Sequence, residues 1–329
     1  MKKTISIFVF FLLLFMPIGA MNDVLVEKSV NRYFMLSHEL KKVDDIDVQI
    51  YGSCHAYTSF DASYFTEKYG VDSYNMSNPG EIIPSTYLRM YERFQKDKPR
   101  IAVVEIWGVN AYETYEPTEK IFKDYFRGNI EDIPLSWEKL KVMREFEELD
   151  VIEDNLAFIK YRNRVVAYSL RPVDFKYSYE QAEAIWNNGE WPNYVYNEMS
   201  DRFSNNGYRK YEANSIPDYE VLQASVNDDE QLKVEDNLMK YVEKIIELCE
   251  ENQVPVIFYR APYRSTKNEL RKTNYLKTYL DKEGIPFYDL EKEIKYDYEQ
   301  DFYDYEHLSE YGALKATDFL GEKIMKVLN

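Results

Sequence analysis

Three short loops carry polar residues that packing alone does not explain. Gly52-Ser53-Cys54-His55 follows a short apolar run, and Gly108-Val109-Asn110 follows a longer one. Asp304-Tyr305-Glu306-His307-Leu308 precedes the last helical stretch, and Gly80 lies in a loop between the first two. A thiol, imidazoles and a carboxylate are the groups that nucleophilic catalysis and proton transfer draw on. The chain has only three histidines, and two of them, His55 and His307, fall in these loops. The third, His38, reads as solvated surface in an N-terminal connector. Each group also has a plainer role. Cys54 can be an inert buried thiol, and His307 a cap for the last helix. Asn110 can be a turn residue, and His55 can point into the first turn of a helix. No His or Cys cluster has ligand spacing along the chain, so neither a metal nor a cofactor is expected. A flavodoxin-like cofactor binder is disfavoured because no glycine-rich phosphate loop follows the first strand.

The pattern that positions these loops is an alternation of strands and helices. Residues 47–51, DVQIY, read as a buried strand ending at Gly52. Residues 59–69 read as a helix with Ser59 as N-cap. A short strand at 73–76 and a helix at 85–97 follow, and then 100–107, RIAVVEIW, the clearest central strand. After 233 come a strongly amphipathic helix (234–252), a strand (254–259) and a helix (267–283) ended by Gly284. A strand at 285–289 and a closing helix at 308–328 complete the order. Such alternation predicts an α/β fold, a flavodoxin-like doubly wound parallel sheet. Its ligand-binding loops lie at the carboxyl ends of the strands, where the polar residues fall. From about 112 to 233 the pattern lapses into helical stretches, such as 135–150, and aromatic loops at 187–194 and 204–208, with no convincing strand. This reads as an insertion over the sheet edge. The expected organisation is a leader at 1–21, a helical connector at 22–46 and an α/β domain at 47–329 that holds the insertion.

With these residues in place the chain resembles the SGNH (GDSL-like) hydrolase superfamily, named for Ser, Gly, Asn and His in four blocks. GSCH at 52–55 is similar to the first block, Gly80 to the second, Gly108-Val109-Asn110 to the G-x-N of the third, and Asp304 with His307 to the D-x-x-H of the last. The likeness spans about residues 47–110 and 254–320 and omits the central insertion. It is closest to a divergent extracytoplasmic branch with a GSSH-like first block, of which the D-alanine transfer protein of teichoic-acid synthesis is a distant analogue. It implies the SGNH hydrolase fold and an acyl esterase or O-acyltransferase that acts on an acylated glycan or cell-surface polymer. Such proteins often accompany a membrane-bound O-acyltransferase, which is then a partner to expect.

The resemblance also assigns roles. Cys54 stands where the family has its nucleophilic serine. Either Cys54 is the nucleophile, or Ser53 replaces it after a small shift in the turn, or hydrolysis has been lost. His307 is the base and Asp304 its orienter, with Asp301 as a substitute among several nearby acids. The Cys54 and Gly80 N–H groups and the Asn110 amide would form the oxyanion hole. His55, Gly108, Arg260 and Trp191 line the substrate side. Arg260 stands at a strand end, where it would meet a carboxylate or phosphate or else pair with an acid. Trp186, Trp191, Tyr194 and Tyr208 suit stacking on sugar rings, with packing onto the sheet as the plainer alternative. A thioester passes its acyl group readily to other nucleophiles, so Cys54 tilts the expectation towards transfer.

Composition bounds these readings. Forty-one basic and fifty-eight acidic residues give a net charge of −17, which excludes an extended nucleic-acid-binding surface of clustered Lys and Arg. It also suits a neutral glycan better than a polyanion. Thirty-one tyrosines are an unusual supply of amphipathic rings. Two cysteines, Cys54 and Cys249, offer no disulfide framework, and Cys249 falls within a helical pattern, so a bond between them is not expected. Residues 1–20, MKK followed by a 16-residue apolar run, read as a signal peptide or an uncleaved anchor. Both place the remainder outside the cytoplasm, secreted or held on the outer face of the cytoplasmic membrane. The competing function is a catalytically degenerate protein that binds an envelope glycan or the acyltransferase partner.

Overall fold

The computed structural model describes residues 39–40, 42–114, 126–130, 133–145, 202, 205–216, 218–219 and 223–329. The leader, His38, Trp186, Trp191 and Tyr194 lie outside the described residues. The chain divides into two compact units, Met1–Met35 with Pro134–Tyr196, and Leu36–Ile133 with Asn197–Asn329.

The second unit is built on five parallel strands. In chain order it runs β1 (Val48–Tyr51), α1 (Cys54–Ser59), α2 (Ala62–Tyr69), β2 (Ser73–Asn75), α3 (Ile83–Lys96), β3 (Ile101–Glu105), a 3-10 turn at Trp107–Val109 and the short α4 (Ala111–Thr114). The described part of the first unit is α5 (Trp137–Glu145), with Trp137 exposed. The second unit resumes with α6 (Asp236–Glu251), β4 (Val256–Arg260), α7 (Lys267–Lys282), β5 (Phe287–Asp289), α8 (Leu290–Glu293) and α9 (Glu310–Leu328). The strand order is β2-β1-β3-β4-β5, and every pairing is parallel. This is the doubly wound α/β fold in its 2-1-3-4-5 order. Among the described residues no helix is long and apolar enough to cross a membrane.

Burial explains the strands. All four residues of β1 and all five of β3 and β4 are buried, as expected of a sheet covered on both faces. Val48, Ile50, Ile101, Val103, Ile257 and Tyr259 pack with Phe60 and with Ala56, Phe65, Ala316, Leu320 and Ile324 of α1, α2 and α9. The alternating residues Ala102, Val104 and Phe258 are equally buried and face the other way. Elsewhere α3 and α6 pack together, with the Tyr87 and Tyr241 rings 5.7 Å apart.

One local expectation fails. The helix predicted to start at Ser59 is two helices, and Asp61 caps the second, its Oδ1 accepting from the Tyr64 N–H at 3.0 Å. Ser59 instead closes α1, because Phe60 takes an extended conformation (φ −125°, ψ 107°) with its ring wholly buried. A first-turn cap needs a side-chain oxygen facing the N2 or N3 amide, and the break at Phe60 puts Asp61 there.

Residues 205–216 run from the sheet edge towards the carboxyl ends of the strands. Asn206 O accepts from the Asn75 N–H at the end of β2 (2.8 Å), the Arg209 N–H donates to Tyr57 O (2.8 Å), and Tyr211 O accepts from the Glu310 N–H (2.8 Å). Tyr208 is buried at 2% exposure, so it packs and offers no face to a sugar.

Candidate active site

The strand order reverses between β1 and β3, and their carboxyl ends open the crevice where doubly wound sheets bind ligands. Gly52 leaves β1 there with φ +137°, and a Cβ on it would lie 2.7 Å from Glu105 Cβ. Only glycine lets β1 end this close to β3. Gly52→Ala should cost about 1–3 kcal/mol through strain and overpacking, checked by urea denaturation.

The turn delivers Ser53, Cys54 and His55 to different environments. Ser53 caps α1, its Oγ accepting from the His55 N–H at 3.2 Å and donating to Glu105 Oε2 at 2.9 Å. His55 Nδ1 is also 2.9 Å from Ser53 Oγ. Ser53 is fully buried. Its hydroxyl is committed to interior contacts, which corrects its expected role as the alternative nucleophile. Cys54, half-buried, is the first residue of α1, and its Sγ lies 3.9 Å from His55 Nδ1. Both cysteines are free thiols.

His307 approaches from the loop before α9. Asp304 shapes that loop, with Oδ1 accepting from the Glu306 and His307 N–H groups at 2.8 Å each. The same carboxylate holds His307 Nδ1, with both oxygens at 3.0 Å. Asp301 is instead buried, paired with Lys315 and accepting from the Asp297 N–H at 2.6 Å. Among the acids here it is therefore Asp304 that orients the imidazole. The Cys54, His55 and His307 donor atoms all lie within 4.8 Å of one another. The two imidazoles stack at 5.5 Å between centroids, inclined by 18°. His55 is 3% exposed, with Tyr263 at 4.6 Å and Trp107 at 5.5 Å, and its Nε2 faces Glu306 Oε2 at 3.4 Å. It lines the site.

The electrostatics follow from this packing. Burial disfavours a thiolate, but the neighbouring charge of His55 and hydrogen bonds from His307 and His55 outweigh it and hold the Cys54 thiol well below its ordinary value. Burial likewise opposes the imidazolium forms. The Asp304 and Cys54 hydrogen bonds nevertheless raise His307 to about 9, and the Cys54 charge, its hydrogen bond and Glu306 raise His55. Burial would lift the Asp304 carboxyl, but the His307 ring and the backbone donors bring it below the usual range. Glu105, enclosed at the end of β3, is pushed up by burial despite the His55 charge and its contacts with the Trp107 N–H (2.8 Å) and Ser53.

The remaining expected residues behave differently. Asn110 is fully buried and its Nδ2 donates to the Tyr263 hydroxyl at 3.1 Å, so it supports the ring that packs on His55. Gly80 turns its loop at φ +58°, and its carbonyl accepts from Asn129 Nδ2 at 3.3 Å. Gly108 is a packing glycine, since a Cβ there would meet Ile83 N at 2.6 Å and Glu81 O at 2.9 Å. Arg260 is also corrected. It is 1% exposed and paired with Asp289 (2.9 Å) and Glu291 (2.8 Å), and it donates to Ser265 Oγ (2.6 Å) and the Tyr263 carbonyl (3.3 Å). The charge is neutralised within the fold and braces the Tyr263 loop.

Several residues at the site were not singled out from sequence. Glu105 carries a signal, a carboxylate inside an otherwise apolar β3. Glu306 was passed over as one acid among many. Tyr263 and Tyr211 had no signal in a tyrosine-rich chain. Tyr211 stacks on Tyr303 at 4.3 Å and lies 5.7 Å from the His307 ring. Asn78 donates its N–H to Gly52 O at 3.1 Å, and its side-chain amide is buried with no hydrogen-bond partner among the described residues.

The model of one protein family, itself uncharacterised, matches residues 196–329. That stretch contains β4, β5 and the Asp304–His307 loop and excludes Cys54. No curated protein matches the chain.

Proposed function

We propose that the chain is an acyl esterase or O-acyltransferase of the SGNH type that works through a Cys54 thioester. The observation that carries this reading is the convergence of Cys54 Sγ with two imidazoles, one of them fixed by Asp304 at Nδ1. That is the nucleophile–base–orienter arrangement. The Cys54 thiolate attacks the ester carbonyl carbon. The C–O bond breaks, and the leaving alkoxide takes the proton of the His307 imidazolium. In the second half, neutral His307 takes a proton from water or an acceptor hydroxyl, whose oxygen attacks the thioester and releases the Cys54 thiolate. Backbone N–H groups at the start of α1 supply donors for the developing oxyanion, each worth about 3 kcal/mol when placed correctly.

The leader pattern and the net charge of −17 support an extracytoplasmic setting and a neutral envelope glycan or polymer as the acyl carrier. A membrane-bound O-acyltransferase belongs to the same reading as a partner. A second reading, a non-catalytic protein that binds the glycan, is favoured by the engagement of Asn110 with Tyr263 in place of an oxyanion. The test is turnover of p-nitrophenyl acetate by the full-length protein, with intact mass read at early times. An acetyl adduct on Cys54 is expected. A folded protein with neither adduct nor turnover would leave the binding reading.

A further inference from the structure

We infer that Cys54, His55 and His307 together form a binding site for one zinc ion. Sequence spacing hid this set, because the loop before α9 brings in its third member from 252 residues further along the chain than His55. Three protein donors, one thiolate and two imidazoles, are the ligand types zinc selects over hard cations such as magnesium and calcium.

Two features go beyond proximity. First, each imidazole has a carboxylate at the nitrogen turned away from the cluster. Asp304 holds His307 Nδ1 at 3.0 Å, and Glu306 faces His55 Nε2 at 3.4 Å. Zinc-ligating histidines usually donate their outer N–H to such a group, which fixes the tautomer and aims the other lone pair at the metal. Here this leaves His307 Nε2 and His55 Nδ1 to converge on Cys54 Sγ. Ser53 Oγ, 2.9 Å from His55 Nδ1, keeps Glu105 as the acceptor for its own proton. Second, the spacing is close to that required. Tetrahedral zinc separates a sulfur and a nitrogen ligand by about 3.6 Å. Cys54 Sγ and His55 Nδ1 are already 3.9 Å apart, and the largest spread in the set is within 4.8 Å. Relative side-chain movements of up to about 1.2 Å, shared between two residues, would close the shell. Three protein ligands leave the fourth position open to water or a ligand atom, as in catalytic zinc sites.

The inference does not rest on the acyl-transfer reading. Coordination uses the Cys54 lone pair that a thioester would consume, so zinc and an acyl group exclude one another. Binding releases any proton on Cys54 Sγ, His55 Nδ1 or His307 Nε2, with no change in oxidation state.

The test uses the full-length protein, stripped with a chelator and kept reduced. Zinc is titrated by calorimetry, and cobalt(II) is added separately to read the thiolate-to-cobalt charge-transfer band. One zinc per chain and a cobalt band are expected. The band should be absent in Cys54→Ser and present in Cys249→Ser. Glu306→Gln, a change at a half-exposed side chain, should weaken zinc by about 10–100-fold. Absence of the cobalt band in the parent protein would overturn the site. So would a band that survives Cys54→Ser, or zinc affinity unchanged in both His307→Ala and Glu306→Gln, which would place the ion on surface carboxylates. Intact mass after p-nitrophenyl acetate, read on the metal-free protein, separates the two proposals. An adduct without a cobalt band removes only the zinc site, and a band without an adduct removes only the thioester.

Discussion

Cys54→Ala is expected to form no acetyl adduct and to lose p-nitrophenyl acetate turnover by at least about 10³-fold, the scale on which covalent catalysis depends on its nucleophile. The contrast with its neighbour makes the result diagnostic. Ser53→Ala should retain the adduct, because the Ser53 hydroxyl is spent on the α1 cap and on Glu105. It should instead cost about 1 kcal/mol for the cap, and a further amount because it takes a donor from the buried Glu105 carboxylate. An adduct that persists in Cys54→Ala and vanishes in Ser53→Ala would move the nucleophile by one residue and reject the thioester.

Arg260→Leu should destabilise the protein by about 3–5 kcal/mol, the usual consequence of removing one partner from a buried ion cluster. Asp289 and Glu291 both approach the same Arg260 Nη1, so the substitution leaves two carboxylates facing each other with little solvent. The Tyr263 loop, held by the Arg260 Nη2 bonds to Ser265 and to the Tyr263 carbonyl, loses its brace as well. Urea denaturation measures the loss. A substrate-binding arginine would give the opposite pattern, with an unchanged denaturation midpoint and a raised KM.

Much of the fold was legible because burial on both faces leaves an unmistakable mark. RIAVVEIW at 100–107 and VPVIFY at 254–259 read as strands since a parallel strand covered on both faces is a near-continuous apolar run. Gly284, read as a helix end, has the left-handed conformation that position requires. The start of α2 was misread because Ser59 and Asp61 are both good caps, and only the burial of Phe60 chooses between them. Arg260 was misread for a related reason. A charge at a strand end looks the same in sequence whether it faces a ligand or two carboxylates from the next strand and helix.

By itself the sequence determined the alternation of strands and helices, hence the parallel sheet, and placed Cys54, His307 and Asp304 in loops at its carboxyl ends. Those are local properties, set by hydrophobic period, turn residues and the D-x-x-H spacing. Tertiary structure decided which groups meet. It buried Ser53 and left Cys54 half-open, turned His55 towards His307, enclosed Glu105 and gave each imidazole its own carboxylate. These pairings join residues up to 252 positions apart. They depend on the order in which the strands lie side by side and on the path of the loop before α9, and neither is written in any short stretch of the chain.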